Sequence, residues 1–84
     1  MKLLFLKIIY IGVIVNSKRL TKLIKRNYNY EFHLYNKENK EFVKITYNKE
    51  NKGFNVEIDN VVIISDNLNK FNKLEIYNIW NLEN

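Results

Sequence analysis

Few side chains in this 84-residue sequence could do catalytic chemistry. His33 is the single histidine, Ser17 and Ser65 are the two serines, and the sequence contains no cysteine. A Ser-His-Asp arrangement is available by count, but neither serine has the glycine context of a nucleophile elbow. His33 falls on the outward parity of its predicted strand, which is typical of a surface residue. We therefore expect no catalytic residue and predict that the protein is not an enzyme.

The sequence also has few residues that could bind a metal ion or a cofactor. One histidine without cysteine cannot build a structural zinc site or an iron–sulfur cluster, and acidic side chains alone would hold a hard cation weakly. A phosphate-binding loop needs several glycines, whereas this sequence has only Gly12 and Gly53. We expect neither a metal site nor a cofactor.

Positive charge is concentrated in the N-terminal third of the sequence. The formal net charge is +5. Residues 1–30 carry seven Lys and Arg and no acidic residue, while residues 31–84 hold seven Lys and nine acids, a net charge of −2. An anionic partner would therefore be attracted mainly by the N-terminal third. The densest cluster lies in residues 18–26 and consists of Lys18, Arg19, Lys22, Lys25 and Arg26.

The same segment predicts a short helix. Asn16 and Ser17 are residue types that cap helices. Leu20, Leu23 and Ile24 recur at helical spacing and form one narrow apolar stripe, with the cations on the remaining circumference. One interpretation is a helix that binds phosphates or an acidic protein surface. The other is a helix with a solvated basic face, held by three aliphatic side chains.

The residues before this helix form an apolar run. Residues 3–15 read LLFLKIIYIGVIV, which is too short for the roughly 17 to 25 apolar residues that cross a bilayer. The β-branched side chains favour a strand that is buried on both faces. A secretory signal is the alternative, with Val15 and Ser17 at the cleavage positions, although Lys7 interrupts the apolar stretch. We predict the strand, a single domain over residues 1–84 and a cytoplasmic location.

An internal repeat organises the middle of the sequence. Residues 35–42 read YNKENKEF and residues 47–54 read YNKENKGF, identical at seven of eight positions. Apolar and polar residues alternate around both copies, which indicates strands with one buried face. Each KENK segment is predicted to be a four-residue tip between antiparallel strands, at Lys37 to Lys40 and at Lys49 to Lys52.

The alternation also predicts the strand register. A slip of one residue would expose a whole apolar face to water. We therefore expect Leu34 to lie opposite Val43 on the buried face. On the outward face, the same register places Lys44 between His33 and Glu57.

The C-terminal third has weaker signals. Asp59 and Asn60 suit a tight turn, and residues 61–65, VVIIS, predict a further buried strand. Residues 66–72 are expected to form a short helical turn. A final strand should begin at Leu74, with Trp80 on the same face as Leu74.

These elements together predict a small α+β domain. It would contain an antiparallel β-meander of four to five strands, with one short basic helix after an apolar N-terminal strand. A helix packed on an open sheet and a partly closed barrel both fit. A helix followed by strands is vaguely similar to small barrels of the Sm type, but the sequence has no Sm motif and we assign no residue from that resemblance.

Binding functions fit this inventory better than catalysis does. Tyr35 and Phe42 should face each other on the outward side beside Lys44, an arrangement suited to stacking on unpaired bases or to a protein contact. The leading hypothesis is a small non-enzymatic protein that covers a surface of a larger protein or nucleoprotein. The Lys- and Asn-rich composition is typical of AT-rich genomes, such as those of many phages and mobile elements. A specific form of the leading hypothesis is therefore a phage or mobile-element protein that inhibits a host defence nuclease in the host cytoplasm.

The alternative is an RNA- or single-stranded DNA-binding protein that uses the basic helix and the aromatic sheet face. Membrane attachment through the N-terminus is less favoured. The formation of homo-oligomers is compatible with either hypothesis. The candidate binding residues for either hypothesis are Lys18, Arg19, Lys22, Lys25, Arg26, Tyr35, Phe42 and Lys44.

Overall fold

A computed structural model describes residues 10–83 of the chain. Within this range lie β1 (Ile14–Val15), helix α1 (Ser17–Arg26), β2 (Tyr30–Asn36), β3 (Glu41–Asn48), β4 (Gly53–Ile58), β5 (Val61–Ser65) and β6 (Leu74–Asn81). The strands form one antiparallel sheet in the order β1-β6-β2-β3-β4-β5. The predicted α+β fold with a β-meander is confirmed, with six strands in place of four to five. Within residues 10–83, β1 and β5 are the two edges of the sheet and do not pair with each other, so the sheet is not a closed barrel.

Helix α1 follows the predicted capping and packing. The Oδ1 atom of Asn16 accepts a hydrogen bond from the backbone N–H of Arg19 at 2.8 Å, so Asn16 is the N-cap. Leu20, Leu23 and Ile24 are buried in the core. The apolar stripe thus fixes which side of the helix contacts the sheet, and the cations remain on the opposite side.

The two repeats form equivalent hairpins, as predicted. Strand β2 ends at Asn36 and β3 begins at Glu41, while β3 ends at Asn48 and β4 begins at Gly53. Asn36 Oδ1 accepts the N–H groups two and three residues ahead at 3.0 and 3.3 Å, and Asn48 Oδ1 does the same at 3.0 and 3.2 Å. Side-chain oxygens of this kind stabilise turns by satisfying their free backbone donors.

The predicted register is also confirmed. Leu34 lies opposite Val43, and Lys44 lies between His33 and Glu57. The side of the sheet that α1 covers is called the core face here, and the other side is called the outer face. The buried strand residues of the core face are Val15, Tyr30, Phe32, Leu34, Val43, Ile45, Phe54, Val56, Leu74, Ile76 and Ile79.

The predicted N-terminal strand is present only in part. Residues 1–9 lie outside the described range. Ile11 and Gly12 form a turn, and the strand is restricted to Ile14 and Val15. Val15 is buried but Ile14 is 54% exposed. The prediction of burial on both faces is therefore wrong for Ile14, because β1 is an edge strand whose outer face is uncovered.

Strand β5 lies where it was predicted, after a tight turn. Asp59 and Asn60 have φ values of 52° and 66°, the left-handed pair that a two-residue type I′ hairpin turn requires. The predicted burial of this strand is wrong, since residues 61–64 are all exposed. The cause is position: β5 is the sheet edge, and among the described elements the helix packs against β3 rather than against this edge.

The predicted helical turn over residues 66–72 is wrong. The segment is an irregular loop with one turn, in which the N–H of Phe71 donates to the carbonyl of Leu68 at 3.0 Å. Ser65 and Asn67 make local hydrogen bonds that compete with a helix, including Ser65 Oγ to the Asn67 carbonyl at 2.7 Å. Leu68 and Phe71 are buried, so the loop closes part of the core.

Strand β6 begins at Leu74 as predicted but contains a β-bulge. Ile76 lies opposite Leu34, whereas Asn78 lies opposite His33, which leaves Tyr77 as an extra residue on β6. A bulge reverses the in-and-out alternation of all later residues in its strand. Trp80 consequently lies on the outer face, and the prediction that it shares the face of Leu74 is wrong.

Candidate functional site

The outer face brings together three of the candidate residues. Tyr35 lies opposite Phe42, with ring centroids 4.8 Å apart, and Lys44 follows two residues after Phe42 on the same strand face. Tyr35 is half-buried and Phe42 is 60% exposed. The short turn at the hairpin tip and the regular register hold both rings against each other, so the aromatic pair is preformed.

The bulge enlarges this pair into a patch that sequence reasoning missed. The ring of Tyr77 contacts Phe42 edge-on, with centroids 5.4 Å apart and planes at 81°, a favoured geometry for aromatic pairs. Trp80 is 57% exposed on the same face. We call Tyr35, Phe42, Tyr77 and Trp80 the aromatic patch. Its only signal in the sequence was Asn78, which breaks the apolar alternation of the last strand.

Charges on the outer face largely neutralise one another. Lys44 Nζ lies 3.9 Å from Glu57 Oε2, and Lys37 Nζ lies 3.6 Å from Glu75 Oε1. Glu31 Oε1 lies 2.8 Å from the Nε2 of His33, whose side chain is only 15% exposed. The aromatic patch is therefore surrounded by carboxylates as well as lysines, and it offers no surplus of positive charge.

The cations of α1 lie on the other side of the molecule. Lys18, Arg19, Lys22, Lys25 and Arg26 are all exposed. Leu20 and Ile24 pack onto the core face, so the sheet itself separates these cations from the aromatic patch. None of these five cations takes part in the three ion pairs found within residues 10–83. The basic helix and the Tyr35/Phe42 pair thus belong to two surfaces, whereas the nucleic-acid hypothesis combined them in one.

The basic helix has aromatic neighbours of its own. Lys25 Nζ lies 5.8 Å from the ring centre of Tyr47, and Lys49 Nζ lies 4.4 Å from that of Tyr28. Tyr28, Tyr47 and Lys49 line an open groove of about 380 Å³ beside the second hairpin tip. These cation–π contacts place aromatic rings next to the helix, which the sequence pattern did not reveal.

His33 and Ser65, two of the residues with catalytic potential, are far apart. His33 is on the outer face of β2, while Ser65 is on the core-face parity of β5. Three strand spacings separate β2 from β5, which is about 14 Å. Ser65 Oγ donates to the Asn67 carbonyl. The two side chains are therefore beyond the hydrogen-bond distance that a nucleophile and its base require.

Comparison of the chain with protein-family models, with curated proteins and with solved structures finds no match. Between residues 10 and 83, no helix combines the length and apolar character needed to cross a bilayer.

Proposed function

We propose that this chain is a non-enzymatic binding protein that covers a surface of a partner protein with the outer face of its sheet. The observation that carries this proposal is the exposure of three large rings on one face: Phe42 at 60%, Trp80 at 57% and Tyr77 at 39%. Aromatic residues are enriched in protein interfaces and supply many of their hot spots. Tyr77 contacts Phe42, and Trp80 lies farther along the same face, opposite Glu31. Rings on a preformed sheet require little ordering when a partner binds.

The charge pattern of the outer face favours a protein over a nucleic acid as the ligand of the aromatic patch. Binding of a nucleic-acid strand depends on cations that neutralise phosphates. Lys37 and Lys44 are instead held next to Glu75 and Glu57. A protein surface with its own polar rim would match this balance of charges. Inhibition of a defence nuclease in the cytoplasm is one concrete version of this function.

A pull-down with matched variants tests the proposal. The tagged protein is used to capture partners from its native host with and without nuclease treatment. We expect a protein partner that survives nuclease treatment and that is lost with the Phe42→Ser/Trp80→Ser double variant. The Arg19→Gln/Arg26→Gln double variant, which leaves the outer face unchanged, should retain it. Equal capture by the wild type and the Phe42→Ser/Trp80→Ser variant would reject the aromatic patch as the binding surface.

A second candidate function is binding of RNA or single-stranded DNA by α1. The observation in its favour is the group of five exposed cations on one short helix. One of them, Lys25, also lies next to the Tyr47 ring. Phosphates would contact the cations, and bases would stack on Tyr28 in the neighbouring groove. The bases would therefore stack on Tyr28 and Tyr47, and not on Tyr35 and Phe42 as the nucleic-acid hypothesis from the sequence expected.

Titration of single-stranded oligonucleotides at several salt concentrations tests this second candidate. If Arg19 and Arg26 each neutralise one phosphate, the Arg19→Gln/Arg26→Gln variant should reduce the slope of log K against log salt by about 1.4. The Phe42→Ser/Trp80→Ser variant should bind like the wild type. Flat titrations of the wild type with both RNA and DNA would eliminate nucleic-acid binding.

A further inference from the structure

Among the residues that the structure describes, nothing pairs with the free edge of strand β5. Val61, Val62, Ile63 and Ile64 are 59%, 59%, 48% and 66% exposed, so apolar side chains are uncovered on both faces of the strand. Edge strands of soluble proteins usually carry charges, proline or a bulge that prevent pairing with another chain. The sequence VVIIS has neither charge nor proline, and β5 pairs with β4 in regular register. The opposite edge, β1, has only two residues.

We propose that the chain forms a twofold-symmetric dimer in which β5 pairs antiparallel with β5 of a second copy. Such pairing satisfies the free backbone groups of the edge and brings the four apolar side chains of each copy into lateral contact with those of the other. An isologous contact needs a surface that is complementary to itself, and an uncharged strand of β-branched residues meets this condition.

Charge and apolar matching select one register for this pairing. When Ile63 lies opposite Ile63 of the second copy, Val62 lies opposite Ile64 in both directions. Beyond the strand ends, Asp66 then lies opposite Asn60, and Asp59 lies opposite Asn67. No like charges face each other, which would be destabilising in a cross-strand pair. The Ile63-centred register pairs Val61 with the small hydroxyl residue Ser65, whereas moving the centre to Val62 would pair Ile64 with Asn60, and moving it to Ile64 would pair Val62 with the charged Asp66.

The dimer would join two six-stranded sheets into one continuous sheet. Because residues on the same face meet in the Ile63-centred register, the outer faces of both copies lie on the same side. Two aromatic patches would then face a partner together. The dimer does not depend on the identity of that partner, so the pull-down described above can fail while the dimer stands.

Cysteine cross-linking tests the register directly, because the natural sequence contains no cysteine. Ile63→Cys should form disulfide-linked dimers under mild oxidation, since residue 63 faces itself across the twofold axis. Ile14→Cys is the matched control: Ile14 is 54% exposed on the opposite edge, so this variant should pair through β5 without forming a disulfide link between the two copies. Val62→Cys and Ile64→Cys should cross-link to each other when mixed, and much less when each is oxidised alone.

Light scattering of the full wild-type chain at high micromolar concentration supplies the second measurement. We expect a mass of twice 10.2 kDa for the wild type and of 10.2 kDa for Ile63→Lys, with an unchanged circular dichroism spectrum for the variant. A wild-type mass of 10.2 kDa would overturn the dimer. The free edge of β5 would then be available for pairing with a strand of a different protein. Equal cross-linking of Ile63→Cys and Ile14→Cys, or open-ended polymers, would also overturn it.

Discussion

Arg19 occupies a helix position that favours the opposite charge. Its backbone N–H donates to the Asn16 side chain, which identifies it as the third residue of the first turn. The N-terminal end of a helix carries partial positive charge, so acidic residues stabilise it and cations destabilise it. The first turn of α1 has no acidic residue. Lys18 and Arg19 are thus placed where they oppose helix stability.

Replacement of Arg19 by Glu should therefore stabilise the protein. A glutamate at this position can reach back to the N–H of Asn16 and complete a capping box, and it also complements the helix dipole. We expect a gain of about 0.5 to 1 kcal/mol in the free energy of unfolding, measured by urea denaturation. The same charge change at Arg26→Glu, in the last turn, should instead destabilise the protein. Equal signs for the two variants would contradict the dipole argument.

At the scale of elements, the β6 bulge decides the composition of the outer face. The extra residue returns Ile79 to the core and turns Trp80 outward. Bulges are frequent beside functional sites because they redirect side chains without ending a strand. The same local irregularity therefore completes the hydrophobic core and enlarges the aromatic patch.

Deletion of Tyr77 should remove the bulge and preserve the fold. Without this residue, Ile76 and Ile79 still point to the core and Trp80 still points outward, because the regular alternation is restored. Deletion of Glu75 is the matched control: with pairing from Ile76 onward retained, it would turn the fully buried Leu74 outward. We expect cooperative unfolding for the Tyr77 deletion and severe destabilisation for the Glu75 deletion. Fluorescence of Trp80, the single tryptophan, should remain that of an exposed ring in the Tyr77 deletion.

The one difference between the two repeats also has an explanation in neighbouring elements. Glu41 and Gly53 are equivalent positions, but Gly53 is buried against β5, and a Cβ there would lie 3.4 Å from the Ser65 carbonyl oxygen. The Cβ itself would make an ordinary contact, but the charged end of a glutamate would lose water at this buried position, so Gly53→Glu should destabilise the protein by about 1 to 3 kcal/mol. Glu41→Gly should cost about 1 kcal/mol or less. Urea denaturation of both variants checks this order, and a larger loss for Glu41→Gly would contradict the role of burial at position 53.

At the scale of the whole molecule, the hydrophobic core that residues 10–83 form lies on one side of the sheet. In the described residues, α1 and the loop after β5 cover the core face, while the outer face carries no covering element. Large apolar side chains therefore have two distinct roles. Those on the core face hold the fold together, and those on the outer face are available to a partner.

This division predicts opposite effects for two apolar truncations. Ile24→Ala removes a fully buried contact between helix and sheet and should cost about 2 to 5 kcal/mol, a large part of the stability of a small domain. Trp80→Ala should change the free energy of unfolding by less than about 0.5 kcal/mol and impair partner binding. Thermal and urea denaturation measure both. A large loss of stability in Trp80→Ala would mean that this ring belongs to the core.

Local signals in the sequence were sufficient for much of this architecture. The cap at Asn16, the apolar stripe of α1 and the two hairpin tips depend on residues close together in the chain, so their chemistry determines them directly. Alternation at period two then determined the register that places Lys44 between His33 and Glu57. The aromatic pair on the outer face follows from that register.

Tertiary structure alone decided which predicted strands are covered and which surfaces coincide. An apolar run such as residues 61–64 has the same pattern in a buried strand and at an open edge, because sequence periodicity does not record the neighbours of a strand. The bulge at Tyr77 depends on pairing with β2, more than 40 residues earlier in the chain. The separation of the basic helix from Tyr35 and Phe42 arises because α1 packs on one face of the sheet while their rings project from the other.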